Sequence, residues 1–250
     1  LFITVVVPVS GSALRSVVSS WGQGVNLLEV LTLDHFHAVF EESTMIRSII
    51  NSVLIGTLGG ALAVGGYLAI GLATHRKPDG LSRFVDYIVL TPRAIPGLMA
   101  GLAVFWVFLF VPFLAPLRST LFSVWFAYAV VWLAYGMRLI QSALMQVGPE
   151  LEEAGRLVGA SNARVSRDIT VPLVRNGLLG AWLLIFMIFE REYSTGVYLL
   201  SPGTEVIGAQ IVSLWASGAV DVVAALSLIN MALVGIGLAV ALRFGVKLHD

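Results

Sequence analysis

Apolar residues in this chain gather into long uncharged runs, and short stretches between them carry nearly all of the charge. An apolar run of about 20 residues is long enough to cross a bilayer as a helix. Leu1 to about Val18 reads as a first span. Pro8 is tolerable within it where neighbours satisfy the freed carbonyl, and Arg15 can snorkel to the interface near its end. Ser48 to Thr74 carries no charge and is the clearest span. Gly56 and Gly60, four apart, give it a face for close helix approach. A third span is placed at about Ala94 to Phe113, extended backwards past Pro92 and Pro96 as a kinked half-helix, with Gly97 and Gly101 as a second close-packing face. The fourth runs from about Leu121 to Leu139. The fifth starts near Leu173, with an uncharged core from Asn176 to Phe189 between Arg175 and Glu190; the last is Val222 to Leu242. The pattern predicts an all-α fold, a polytopic transmembrane helical bundle of about six spans.

The polar connections are informative. Ser19 to Arg47 is slightly acidic, with Glu29, Asp34, Glu41 and Glu42. Tyr193 to Asp221 is a long loop, in which Thr204 is placed to cap a short helix through Ala216, with Gly218 after it. Glu150 to Pro172 holds two helix signatures. Pro149 suits a first helical position, and Glu150, Glu152 and Glu153 suit the positive end of the helix dipole. Leu151, Ala154 and Leu157/Val158 recur at three-to-four spacing, which predicts one apolar side. Gly159 breaks this helix. Ser161 is placed to cap a second one through Ile169, and Val171-Pro172 is expected to stop it.

Composition sharpens the picture. The chain has 250 residues, 58% of them hydrophobic and 12% charged, which sets it apart from soluble domains. Having no cysteine, it has no disulfide framework, no Cys-ligated metal site and no thiol nucleophile. It begins at Leu1 inside an apolar run, so the first span is expected to be truncated and the sequence part of a longer chain. Residues 1–45 are read as that span plus an outer loop, and residues 46–250 as the core transmembrane domain, with the polar loop at 148–172. Lys and Arg set orientation. Arg76, Lys77, Arg83, Arg156, Arg164, Arg167, Arg175, Arg243 and Lys247 fall on one side of a six-span chain; Arg15, Arg47, Arg118 and Arg191 fall on the other. Both ends and the 148–172 loop are therefore expected in the cytoplasm of a multi-pass plasma (bacterial inner) membrane protein.

The loop also carries a resemblance. Glu153-Ala154-Gly155, then Gly159, Ile169 and Val171-Pro172, resembles the EAA loop of ABC-importer permease subunits, with Gly155 in the place of Ala and Val171 in the place of Leu. The resemblance implies that Glu153, Ala154, Gly155, Gly159, Ile169 and Pro172 belong to a cytoplasmic coupling-helix pair that docks on an ATPase. It further implies as partners an ATP-binding subunit dimer, an extracytoplasmic solute-binding protein, a second permease unit (fused or separate) and membrane lipid, with no nucleic acid and no cofactor. Glu190 to Gly196 and Ser201 to Glu205 resemble the second half of iron(III)-type permeases, which implies ferric iron or another small anionic or anion-coordinated solute.

Other candidates are weaker. Glu190, Arg191 and Glu192 lie at the outer end of the fifth span and read either as a pathway or binding-protein contact or as a headgroup-level helix end. His35 and His37, with Asp34, could chelate a cation, but an HxH in a polar loop is more often a solvated surface feature. Trp106, Trp125 and Trp132 read as interface anchors or packing. No Walker A, HExxH or GxSxG sequence is present, and the resemblance implies that a separate subunit would hydrolyse ATP. An ion-coupled secondary transporter is the competing function; it calls for intramembrane carboxylates and repeated halves, and neither the second nor the sixth span holds an acidic residue.

Overall fold

The computed structural model describes residues 2–76 and 80–243; Leu1, Lys77, Pro78, Lys247 and His249 lie outside them. Among the described residues the regular structure is helical: α1 Phe2–Ser16, α2 Asp34–Glu41, α3 Ser43–Thr74, α4 Gly80–Leu90, α5 Gly97–Phe110, α6 Leu121–Val131, α7 Leu133–Met145, α8 Pro149–Leu157, α9 Asn162–Arg191, α10 Ile207–Ala216 and α11 Val220–Arg243. Helices α3, α9 and α11 are long and apolar enough to cross a membrane, as are α6 and α7 taken together as one bent span. The expected first and third spans appear as the shorter apolar helices α1 and α5.

Helices α3, α7 and α9 pack on one another at the centre, and α1, α2 and α10 pack along α11. The expected small-residue face of α3 is used: a Cβ on Gly56 would meet the Phe186 ring of α9 at 2.9 Å. Next to it, residues Ile55–Gly59 form a π turn inside α3. Such a turn frees carbonyls, which inside a bilayer must find donors. Two indoles supply them: Trp125 Nε1 donates to the Gly59 carbonyl at 2.7 Å and Trp182 Nε1 to the Thr57 carbonyl at 2.9 Å. Trp125 is thus a bundle component, whereas Trp106 is half exposed on α5.

Three departures from the sequence pattern have local causes. The fourth span is bent by 61° at Trp132, with neither Pro nor Gly at the break. Tyr67 of α3 enters there, its hydroxyl donating to the Ala129 carbonyl at 2.6 Å, three residues before the break. Second, Pro172 does not stop a helix; α9 runs through it from Asn162 to Arg191. A π turn at Ser166–Thr170 precedes it, widening the backbone where the ring would meet the carbonyl of residue 168. Pro8 of α1 follows a π turn at Phe2–Val6 in the same way. Third, α10 starts at Ile207, not Thr204; the Thr204 hydroxyl instead bonds the Ser201 carbonyl at 3.0 Å.

Side-chain contacts define two ends. At one, Arg15 Nε meets Asp221 Oδ1 at 2.6 Å, and Arg47 meets Glu205 at 3.2 Å. There Asn51 of α3 donates to the Gly203 and Glu205 carbonyls, and Ser52 accepts from the Ile207 amide, so the loop after α9 is stapled to the start of α3. His35 Nε2 pairs with the Val18 carbonyl at 3.0 Å, closing a small bridge between Val18 and Leu31. At the other end His75 and Arg76, which follow α3, approach Glu152 of α8 at 3.3 and 2.9 Å.

Candidate functional site

The site is the segment from Gly148 to Thr170. Pro149 starts α8, and Glu150 and Glu152 fall in its first turn. Its C-terminus is a Schellman motif: the Ala160 amide donates to the Gly155 carbonyl at 3.1 Å and the Gly159 amide to the Arg156 carbonyl at 2.9 Å. Gly159 stands at φ +86°, the left-handed region that such a turn requires. The Ser161 hydroxyl then accepts from the Arg164 amide at 3.3 Å and caps the start of α9. The two helices meet through motif residues. Gly155 is buried, and a Cβ there would lie 2.8 Å from Ile169 Cδ1 and 3.1 Å from Val165 Cγ2.

Helix α8 turns its apolar residues outward. Leu151 (50% exposed), Leu157 (88%) and Val158 (85%) face outward, together with Glu153 and Ala154. Glu152 is the buried member, 3% exposed. Its Oε2 accepts from Arg76 Nη1 at 2.9 Å and from Arg156 Nη2 at 3.4 Å; its Oε1 accepts from the Thr170 hydroxyl at 3.0 Å and lies 3.3 Å from His75 Nε2. Two permanent cations and a hydroxyl offset the cost of burying this carboxylate. Arg76 also donates to the Val147 carbonyl, from a backbone at φ 53°, an uncommon conformation for a side chain of this size. Beside these groups lies a cleft of about 370 Å³ lined by Leu72, His75, Arg76, Glu152, Arg156 and Ser166, among others.

Glu152 was missed in the sequence because the motif singles out Glu153 next to it. The available signal was His75-Arg76 at the end of the second span, on the side already assigned to the loop.

The second candidate group sits far from the first. Thr170 and Glu190 are both on α9, twenty residues apart, or about 30 Å at a helical rise. Glu190 is 0% exposed and faces the Asn230 amide of α11, whose nitrogen is placed to donate to the carboxylate. Arg191 is exposed. Glu192 folds back onto the following loop: its Oε1 accepts from the Ser194 hydroxyl at 2.6 Å and the Thr195 amide at 3.1 Å, and its Oε2 from Trp132 Nε1 at 3.2 Å. Tyr128 of α6 donates to the Glu192 carbonyl at 2.6 Å. Gly97 and Gly101 of α5 face Ser194 and Thr195 of this loop, so their close-packing face receives a loop and not a helix.

Comparison with known proteins fits this geometry. A likeness of fold extends to a bacterial ABC transporter involved in the import of the acidic polysaccharide alginate, with TM-score 0.74 and 18% identity over 98% of this chain and 91% of that one. The MetNI methionine ABC transporter in an inward-facing conformation gives TM-score 0.66 and 18% identity over 80% of this chain and 93% of that one. Among sequence relatives, the Fe(3+)-transport system permease protein FbpB 2 of Haemophilus influenzae is 25% identical over 64% of this chain and 31% of that protein. The spermidine/putrescine transport system permease protein PotC of the same species is 26% identical over 79% of this chain and 76% of that protein. The putrescine permease PotI of Escherichia coli is 23% identical over 70% of this chain, which spans 63% of its length. The chain thus covers about a third of the iron relative and just under two thirds of PotI. Residues 61–248, which include α8, the start of α9 and the loop after it, match one family, and by that match the chain belongs to the binding-protein-dependent transport system inner membrane components.

Proposed function

We propose that the chain is the permease subunit of an ATP-driven importer, with α8 as the coupling helix that seats on a cytoplasmic ATPase subunit dimer. One observation carries this reading: α8 buries its carboxylate and turns Leu157 and Val158 outward at a rigid glycine turn. An apolar tip exposed to water is a cost unless another protein covers it. A solute-binding protein on the opposite side delivers the solute, and a second permease unit, fused or separate, completes the pathway. ATP-driven closure of the ATPase dimer then biases the bundle between inward-open and outward-open states.

In this reading the end with Arg76, Arg156, Arg164 and Arg167 is cytoplasmic, as is the C-terminus, supported by the excess of basic residues there. Of the second group, Arg191 is the residue positioned to meet the binding protein, while Glu190 and Glu192 hold the helix end and loop that present it. Ferric iron is the first solute to test, supported by the Glu190–Glu205 run and the iron relative. Uptake of ferric iron measured against putrescine decides between the two classes.

Topology gives a direct check. The chain has no cysteine, so Ala160→Cys introduces a single reactive site. We expect an impermeant thiol reagent to label it in inside-out vesicles and to leave it unlabelled in intact cells with a permeabilised outer membrane. Labelling from outside would overturn the assigned orientation.

A further inference from the structure

We infer that Glu152 is the positioning residue through which movement of α8 reaches the bundle, a polar latch joining the coupling helix to α3 and α9. The inference rests on the importer reading above. Among the described residues, the helical packing of α8 is closest against the first turns of α9. Toward α3 it is separated by the cleft of about 370 Å³, and the side chains that bridge the gap are Glu152 on one side and His75 and Arg76 on the other. Direct packing between α8 and the end of α3 is therefore slight, and Glu152 is the side chain of α8 that ties the two together.

The geometry suits transmission. One carboxylate bonds three groups from three places, Arg76 at the end of α3, Arg156 one turn along α8 and Thr170 in the π turn of α9, and lies 3.3 Å from His75 Nε2. A buried, charge-assisted bond is stiff and directional, unlike a greasy contact that can slide. Arg76 is doubly fixed, to Glu152 and to the Val147 carbonyl just before α8, and its left-handed backbone keeps it aimed there. A displacement of α8 thus pulls on the last turn of α3 and on the widened turn of α9, the two helices that cross at Gly56. The docking surface, by contrast, is Glu153, Leu157 and Val158 on the opposite side of α8. Docking and transmission are separate functions of adjacent residues.

The experiment uses the permease co-expressed with its ATPase and binding protein and reconstituted in proteoliposomes. For parent, Glu152→Gln, Arg76→Gln and the double variant, ATPase co-purification, ATP hydrolysis and solute uptake are measured at matched permease levels. We expect each single variant to retain the ATPase as the parent does and to hydrolyse ATP, while solute moved per ATP falls about tenfold, the factor carried by loss of one charge-assisted hydrogen bond. The double variant should lose less than the two single losses combined, because both singles remove the Glu152–Arg76 bond they share. If Glu152→Gln fails to insert, Arg76→Gln, whose side chain is partly exposed, carries the same test. An unchanged uptake-to-hydrolysis ratio would overturn the latch, as would loss of ATPase capture in the variants, which would make Glu152 a docking residue. A parent that captures no ATPase would instead overturn the importer reading, and the latch with it.

Discussion

Gly159→Val should leave a permease that inserts and accumulates normally but has lost its ATPase. The φ of +86° at this position costs an ordinary residue about 1–2 kcal/mol, and a β-branched one more. No atom lies within 4 Å of where the Cβ would stand, so the penalty is conformational and not steric. The Schellman bonds from Ala160 and Gly159 are what the strain breaks, and with them goes the angle at which Leu157 and Val158 are held. The bundle does not depend on this turn, so expression should be unaffected. Capture of the ATPase and ATP-driven uptake should each fall about tenfold or more, as expected for roughly 1.4 kcal/mol or more of misplaced docking surface. Gly159→Asn, which tolerates the left-handed region, should retain most activity. Glu153→Ala should also be mild, since an exposed residue near the helix start contributes about 0.3–1 kcal/mol through the dipole. Equal co-purification and uptake for Gly159→Val and parent would show that the turn does not set the docking geometry.

Gly101→Val should damage the opposite end and do so through stability. A Cβ at Gly101 would overlap the Thr195 carbonyl oxygen, a backbone atom that cannot rotate away. Thr195 is fixed in turn by Glu192, which also holds Ser194 and Trp132, and Tyr128 holds the Glu192 carbonyl. Displacing the loop breaks this set and unseats Leu199 and Val206, two buried residues of the loop itself. Overpacking costs about 1–3 kcal/mol before the broken bonds are added. In detergent the thermal midpoint should fall by about 5–10 °C, on the scaling for a chain of this size. Gly65→Ala, on α3 with open space around it, is the control and should shift little. A Gly101→Val midpoint equal to the parent's would mean the loop is not seated as described.

Much of the bundle was legible because a bilayer asks one simple thing of a sequence: uncharged length. Ser43–Thr74 and Val220–Arg243 lie within a few residues of the expected spans for that reason. The turn at Gly159 and the cap at Ser161 were legible too, since a left-handed backbone and an orphan amide each demand particular side chains. What the pattern hid was set by distant residues. The bend at Trp132 comes from Tyr67, more than sixty positions earlier. Pro172 reads as a stop, yet a π turn next to it absorbs the ring, and no residue type announces a π turn. Most telling is α8, where periodicity predicted one apolar side without saying which way it faces. Its orientation is decided by Arg76, His75 and Thr170, which provide a buried seat for a carboxylate and so turn the leucines out. Periodicity finds a two-sided helix; it does not say which side the rest of the chain has prepared to receive.

In the proposed importer the outward apolar tip of α8 is the surface that holds the ATPase. The direct measurement is capture of the co-expressed ATPase by affinity-purified permease, comparing parent with Leu157→Asp/Val158→Asp. Both side chains are almost fully exposed, so the double variant should insert and unfold as the parent does. The parent is expected to bring down the ATPase and the double variant to leave it behind. Undiminished capture by Leu157→Asp/Val158→Asp would contradict it.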